Sequence, residues 1–287
     1  MIGVVLALLA AFVNSLSVVL VRRKLDESNY FSATMMVTVI GNIILWPLAL
    51  LFANLKTVNL RGILFFIIAG MLAPGITRLL YNKGMDALGV SINASIFATY
   101  PVYSSVLAVL LLGEIIAPEN WIGVICIVAG VMFIERSLGK PKTEMKKISK
   151  KGLIFPLLAT LTIASSQLVR KYGLNIYNEP LLGVAIGYSS SFLLYLLLLT
   201  SKMQYSMPLW KDLRLFWKPG VFLSLGWILS FYALSYERVS IVTPLLQTEP
   251  LFVLLLAYLH LKGLEHISLK VVTGTILIVI GIYLLVT

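Results

Sequence analysis

The chain is expected to be an all-α membrane protein: ten transmembrane helices arranged as two inverted five-helix repeats. Three observations lead there. Of 287 residues, 59% are hydrophobic and only 12% charged, with a mean hydropathy of +0.96, whereas about a quarter of a soluble protein is charged. The apolar residues gather in ten runs, most of them about 20 residues long, enough as helix to cross ~30 Å of hydrocarbon, and no barrel-type alternation is present. Finally, the chain resembles itself when displaced by 149 residues.

The runs cover 2–21, 31–53, 62–82, 91–112, 121–134, 153–169, 181–200, 219–236, 239–261 and 269–286. The first lacks the basic start and small-residue cleavage site of a leader, so it is read as a span. The fifth is short and is expected to begin near Pro118. Under the displacement, Gly3, Leu8, Leu9, Ala10, Ser17 and Asn29 fall on Gly152, Leu157, Leu158, Ala159, Ser166 and Asn178. Val-Ser-Ile at 90 falls on the same triplet at 239, and Thr99 and Pro101 fall on Thr248 and Pro250. After a two-residue insertion, Glu114, Gly123 and Gly130 match Glu265, Gly274 and Gly281. The expected domains are a first repeat over 1–136, a basic linker over 137–151 and a second repeat over 152–287. Five spans per repeat is an odd number, so the second copy enters the membrane from the opposite side, as in secondary transporters that alternate access around a central site.

Net charge is +11, yet the basic residues cluster in the connections, where orientation and anionic headgroups account for them without nucleic acid. Connections after odd-numbered spans hold 18 of the 23 Lys and Arg and those after even-numbered spans hold 5, which puts the linker in the cytoplasm and both termini outside. Arg170 and Lys171 belong to the smaller group in this reading. The single cysteine, Cys126, allows no intramolecular disulfide.

Candidate site residues are the polar ones inside hydrocarbon, because such side chains are costly and rarely face lipid. The most demanding stretch is 239–263, where Gln247 and Glu249 sit beside Pro244 and Pro250. Glu249 either receives a substrate ammonium group or a proton, or it makes a structural hydrogen bond or ion pair, for example to Arg78. Gln247, two residues away, projects elsewhere. Tyr100 and Pro101 hold the matching place in the first half. Pro101 and Pro250 each remove a backbone donor, and are expected hinges. Asn93 and Tyr100 are seven apart, so a continuous helix puts them on one face with Ser104, suiting a zwitterionic or polyol substrate or else joining helices. Arg78 is read one turn inside the cytoplasmic end of span three, with Asn82 four residues on. It either snorkels to headgroups, binds an anion, or pairs with Asp86 or Glu249. Tyr81, Trp227 and Tyr232 are cavity aromatics or part of an interfacial belt. Asn14 and Ser17 on span one, and Ser165, Ser166 and Gln167 on span six, line the cavity or permit close packing. His260 and His266 lack metal-ligand spacing and are read as interfacial. With no phosphate loop, no H-E-x-x-H and no nucleophile elbow, neither an enzyme nor a cofactor is expected.

Two stretches carry a family resemblance. One is A-L-S-Y-E-R-V-S-I-V-T-P-L-L-Q-T-E-P-L-F-V-L-L-L-A-Y-L from Ala233. The other runs from Gly84 through A-T-Y-P-V-Y to the L-G-E turn of Leu112, Gly113 and Glu114. With the glycine-rich last spans G-V-I-C-I-V-A-G and G-T-I-L-I-V-I-G, the chain resembles the EamA domain of the drug/metabolite transporter superfamily, twice over. Tyr100 replaces the acid of the acidic-Pro pair in the first half, and Lys262-Gly263 stands where Leu-Gly belongs in the second. The resemblance implies a cavity lined by spans one, three, four, six, eight and nine, with five and ten at the domain contact. It also implies export or exchange of small metabolites. Several relatives have cytoplasmic termini, against which the charge count is preferred here. The expected function is secondary transport of a small polar metabolite, amino acids first, in the cell membrane, with a small-molecule substrate and the bilayer as partners and a monomer as the simplest state. The alternatives are a multidrug, nucleotide-sugar or lipid-linked carrier, and a non-transporting scaffold subunit.

Overall fold

The computed structural model describes residues 1–24, 27–55, 58–138, 150–200, 210–260 and 269–286; among them are helices and no strands. The helices are α1 (Ile2–Lys24), α2 (Tyr30–Phe52), α3 (Leu60–Gly70), α4 (Thr77–Leu88), α5 (Val90–Phe97), α6 (Tyr100–Leu112), α7 (Pro118–Leu138), α8 (Ile154–Ile176), α9 (Pro180–Thr200), α10 (Trp210–Tyr236), α11 (Val239–Leu246), α12 (Glu249–His260) and α13 (Leu269–Val286). They compose ten segments long and apolar enough to cross a bilayer, three of them from paired helices: α3 with α4, α5 with α6, and α11 with α12. Most of linker 137–151, together with Lys262, Gly263, Glu265, His266 and the His260 side chain, lies outside what is described.

Local chemistry sets the ends. Asn29 accepts from the Ser32 amide at 2.8 Å and opens α2, and Asn59 accepts from the amides of Arg61 and Gly62 and opens α3. Proline begins α7 and α9, where its missing amide costs nothing. Gly113, at φ 67, turns the chain out of α6.

The closest packings join helices of 1–136 to helices of 150–287. α1 lies along α10, α8 along α3 and α4, α2 against α9 and α10, and α7 along α13. In the last pair the glycines interlock. A Cβ on Gly123 or Gly130 would lie 2.9 and 2.5 Å from the carbonyls of Gly281 and Gly274, so only glycine permits this approach. Because 123 meets 281 and 130 meets 274, α7 and α13 run in opposite directions. Likewise Ser104 meets Thr243 and Glu114 meets Val239 and Ser240, so α6 and α11 are antiparallel.

Several boundaries differ from expectation: α10 begins at Trp210, nine residues before Pro219, and α4 runs on to Leu88. α8 continues seven residues past Val169, which places Arg170 and Lys171 in the helix instead of a loop. Lys171 there donates to the carbonyls of Leu234 and Glu237 at the end of α10, at 2.7 and 2.9 Å. Span three is not one helix but two.

Candidate functional site

Span three is interrupted by a wide irregular turn over Met71–Ile76, where Ala73 adopts an extended conformation (φ −145°, ψ 128°). Pro74 has no amide to give to the Gly70 carbonyl, so backbone acceptors are released halfway along the span, where no lipid can satisfy them. Side chains of α8 and α9 do so. Ser166 donates to Ala69 O at 2.8 Å and Ser191 to Gly70 O at 2.7 Å. Arg170 Nη2 donates to Ala73 O at 3.0 Å, and Tyr195 Oη to Pro74 O at 2.9 Å. All four donors are buried. The break is therefore a built feature with its own polar lining.

Arg170 is the centre of that lining. It is 2% exposed, and its guanidinium stands 4.1 Å from the Trp227 ring centroid and 5.3 Å from that of Phe231. Such aromatic faces stabilise a desolvated cation by about 2 kcal/mol. Nη1 donates to Gln167 Oε1 at 3.2 Å, while the Nε–H group is buried without a partner. Tyr100 lies within electrostatic reach of both Arg170 and Glu249. Gln167, Trp227 and Tyr100 thus gather around a residue that the sequence reading left in a loop.

Arg78 also lies deeper than expected. α4 runs on to Leu88, ten residues past Arg78, so the side chain starts about 15 Å from the helix end, too far to snorkel from one turn inside. It lines a cavity of about 10 Å³, room for one water, with Thr34, Val37, Thr38, Pro74, Tyr188 and Leu223. Pairing with Asp86 or Glu249, one of the three alternatives, is not found among the ion pairs of the described residues. Among the described residues the ion pairs are Lys24–Glu27 and Arg238–Glu237, both at helix ends.

Asn93 does not share the face of Tyr100 and Ser104, because the helix is interrupted between Phe97 and Tyr100. Tyr100 Oη reaches Thr243 O at 3.4 Å and Ser104 meets the Thr243 hydroxyl at 2.8 Å, both on α11, whereas Asn93 is pressed against Gly84 of α4. Asn93 is fully buried, with neither amide atom hydrogen-bonded. Asn14, pressed against Gly226 of α10, has its Oδ1 in the same state. Ser17 donates to Pro219 O at 2.8 Å, a role in packing α1 on α10. Tyr81 packs edge-on against Phe97 at 4.9 Å, and Asn82 follows it, half-buried, on α4. Tyr232 lies within electrostatic reach of Glu179 and Tyr236 near the end of α10. Pro101 and Pro250 are second residues of α6 and α12, directly after the interruptions at 98–99 and 247–248, and Gln247 caps α11. Among the described residues no His, Cys, Asp and Glu cluster fits a metal.

One end of the bundle is tied across the halves. The Glu114 carboxylate accepts from the Val239 amide at 2.8 Å, the Ser240 amide at 3.1 Å and the Ser240 hydroxyl at 2.6 Å, capping α11. Arg238 donates to Ile115 O at 2.7 Å, Tyr177 to Asn54 O at 2.9 Å, and Tyr172 to Leu111 O.

Sequence reasoning missed Arg170 because it ends an apolar run and is followed by another cation. The available signal was its helical spacing from Gln167 and Ser166.

Comparison with known proteins agrees with this architecture. The model of the EamA-like transporter family matches residues 1–136 and 150–287. An uncharacterized transporter of Archaeoglobus fulgidus is 28% identical over 99% of this chain and 98% of its own length. Another, of Clostridium kluyveri, is 25% identical over 88% of this chain and 81% of its own. A solved crystal structure superposes with a TM-score of 0.77 at 13% identity, covering 97% of this chain and 95% of that one, which speaks to the fold alone.

Proposed function

The chain belongs to the EamA-like transporter family, a multi-pass membrane transporter and not an enzyme, and from that premise we propose that it is a secondary transporter of a small polar metabolite, with amino acids as the substrate class. The observation that supports the substrate class is the buried Arg170, with Gln167, Trp227 and Tyr100 around it, and the half-buried Glu249 within electrostatic reach of the same tyrosine. A guanidinium and a carboxylate within reach of one tyrosine suit the carboxylate and ammonium of an amino acid.

The mechanism proposed is alternating access by two inverted five-helix halves. Its support is that equivalent helices α7 and α13 are antiparallel, as are the equivalent spans four and nine where α6 of one meets α11 of the other. The halves rock about the central site, with α5–α6 and α11–α12 bending at their interruptions before Pro101 and Pro250. Moving Arg78, Arg170 and Lys171 from the connections into the spans leaves 17 cations against 3, so the charge bias still favours termini outside the plasma membrane. In that orientation the end tied by Glu114, Arg238 and Tyr177 is the outer one. Glu249 is proposed as the proton-coupling group.

The test is uptake of labelled amino acids into liposomes holding the purified protein. Saturable flux lost in Arg170→Gln supports the reading, and no flux of any amino acid sinks it. Glu249→Gln transporting at the wild-type rate without pH dependence removes proton coupling alone.

A further inference from the structure

Beside the break in span three lies a small chamber whose free donors outnumber its free acceptors. It holds about 10 Å³, room for one water-sized particle, and is walled by α2, α4, α9 and α10 together with Pro74. Arg78 and Tyr188 both line it. Arg78 is half-buried and makes no hydrogen bond or ion pair among the described residues. The Tyr188 hydroxyl, on a side chain only 1% exposed, is buried without a partner at hydrogen-bonding geometry. Ser224 stands close enough to act on it, but donates its own proton to Gly220 O at 2.7 Å. A buried donor left in this state calls for a missing acceptor.

The acceptors nearby are already engaged. Thr38 donates to Thr34 O at 2.8 Å, Asn42 to Thr38 O at 2.9 Å and Tyr195 to Pro74 O at 2.9 Å. No residue of the chamber wall is acidic. Arg78 is the charged group that acts most strongly on Tyr188 and on Tyr195, and Arg170 acts on Tyr188 as well. A water here has two protons of its own to place, whereas a monatomic anion only accepts. A cation inside a span is also costly until something negative meets it.

We propose that the chamber is a halide site, filled by chloride, which accepts from the Arg78 guanidinium and the Tyr188 hydroxyl. A carboxylate or phosphate is too bulky for a space of this size. The ion lies beside Pro74, next to the Ala73 carbonyl that Arg170 holds, and it compensates Arg78 while leaving Arg170 to the substrate. The site is additional to the substrate cluster, and its occupation does not depend on which metabolite is carried.

The test follows the melting temperature of the purified protein in detergent, without amino acid, as chloride replaces gluconate at constant ionic strength. Chloride and bromide are expected to raise it saturably by about 2–4 °C, and acetate to act no differently from gluconate. Arg78→Gln is expected to shift the halide midpoint roughly 10- to 100-fold upward and Tyr188→Phe roughly 3- to 10-fold. Should a variant fold poorly, crystals of the unmutated protein grown in bromide decide, with an anomalous peak expected within hydrogen-bonding distance of Arg78 and Tyr188. A response that does not saturate, an equal response to acetate, an Arg78→Gln protein that keeps the original midpoint, or a chamber holding only water in bromide overturns the proposal. None of these outcomes bears on the transport reading, which stands or falls by flux in liposomes.

Discussion

Spans three and eight occupy equivalent places under the 149-residue displacement, yet one is broken and the other is a continuous helix of 27 residues. Both contain proline. Pro74 stands midway between Leu60 and Leu88, whereas Pro219 is nine residues into α10 and nearer its start. What differs decisively is the neighbours. The broken backbone of span three is held by Ser166, Arg170, Ser191 and Tyr195 from the second half. Their counterparts in the first half are Ser17, Val21, Asn42 and Trp46. Val21 cannot donate, Asn42 donates to Thr38 O within its own helix, and Trp46 donates to the Ser189 hydroxyl. Only Ser17 is left to serve span eight, so a break there would strand carbonyls in hydrocarbon. The repeats thus share a fold and divide the work: one supplies an opened backbone, the other the donors that make it tolerable.

The strongest way to break this comparison is at Arg170. Replacing it by leucine strands the Ala73 carbonyl, empties the aromatic box of Trp227 and Phe231, and removes a central cation. Loss of a hydrogen bond from a charged donor costs about 1.5–3 kcal/mol. Liposome flux is expected to fall roughly 100-fold, in proportion to about 2.7 kcal/mol of lost substrate and transition-state binding. Val21→Leu, at the equivalent place, is expected to leave flux unchanged. Equal losses in both variants would show that the asymmetry has no role in transport. Arg170→Lys is expected to rescue poorly, because an ammonium group cannot make the forked contact or stack on the rings.

Next in size is Tyr195→Phe, which removes the donor to Pro74 O and to Gly75 O at 3.2 Å in a fully buried setting. A buried acceptor left unmatched costs about 1–3 kcal/mol. Trp46→Phe, its counterpart, is half-buried and frees only a serine hydroxyl, so a smaller loss of about 1 kcal/mol is expected. Thermal unfolding in detergent ranks the two; the reverse order would refute the claim that donors are concentrated on the second half.

The sequence carried this architecture unevenly. Ten spans were legible because hydropathy is a local signal, and the interruptions before Pro101 and Pro250 stand next to those prolines. The break at Ala73 was not legible, because Pro74 within an apolar run is equally compatible with a mild kink. What opens the helix is a set of donors about 90 to 120 residues away, at Ser166, Arg170, Ser191 and Tyr195. Nor was Arg170, since a cation followed by Lys171 after an apolar run has the composition of a loop. Burial against Trp227 is a tertiary fact that no window of sequence contains.

The smallest and most discriminating comparison is between the two serines that the repeats still share. Ser17 donates to Pro219 O and Ser166 to Ala69 O, each buried and each at 2.8 Å, in the same relation to equivalent spans. Replacing either by alanine removes one such bond, worth about 1 kcal/mol. Ser17→Ala and Ser166→Ala are therefore expected to lower the melting temperature by nearly equal amounts. Their transport should nevertheless differ. Pro219 O belongs to a helix that stays intact, so Ser17→Ala alters only how firmly α1 lies on α10. Ala69 O lies one turn before the break, and its release loosens the segment that presents Ala73 and Pro74 to Arg170 and Arg78. Ser166→Ala is expected to change substrate affinity severalfold while Ser17→Ala leaves it alone. Equal shifts in affinity would mean that the break is a passive irregularity, since a site built on it must feel the bond that holds its edge.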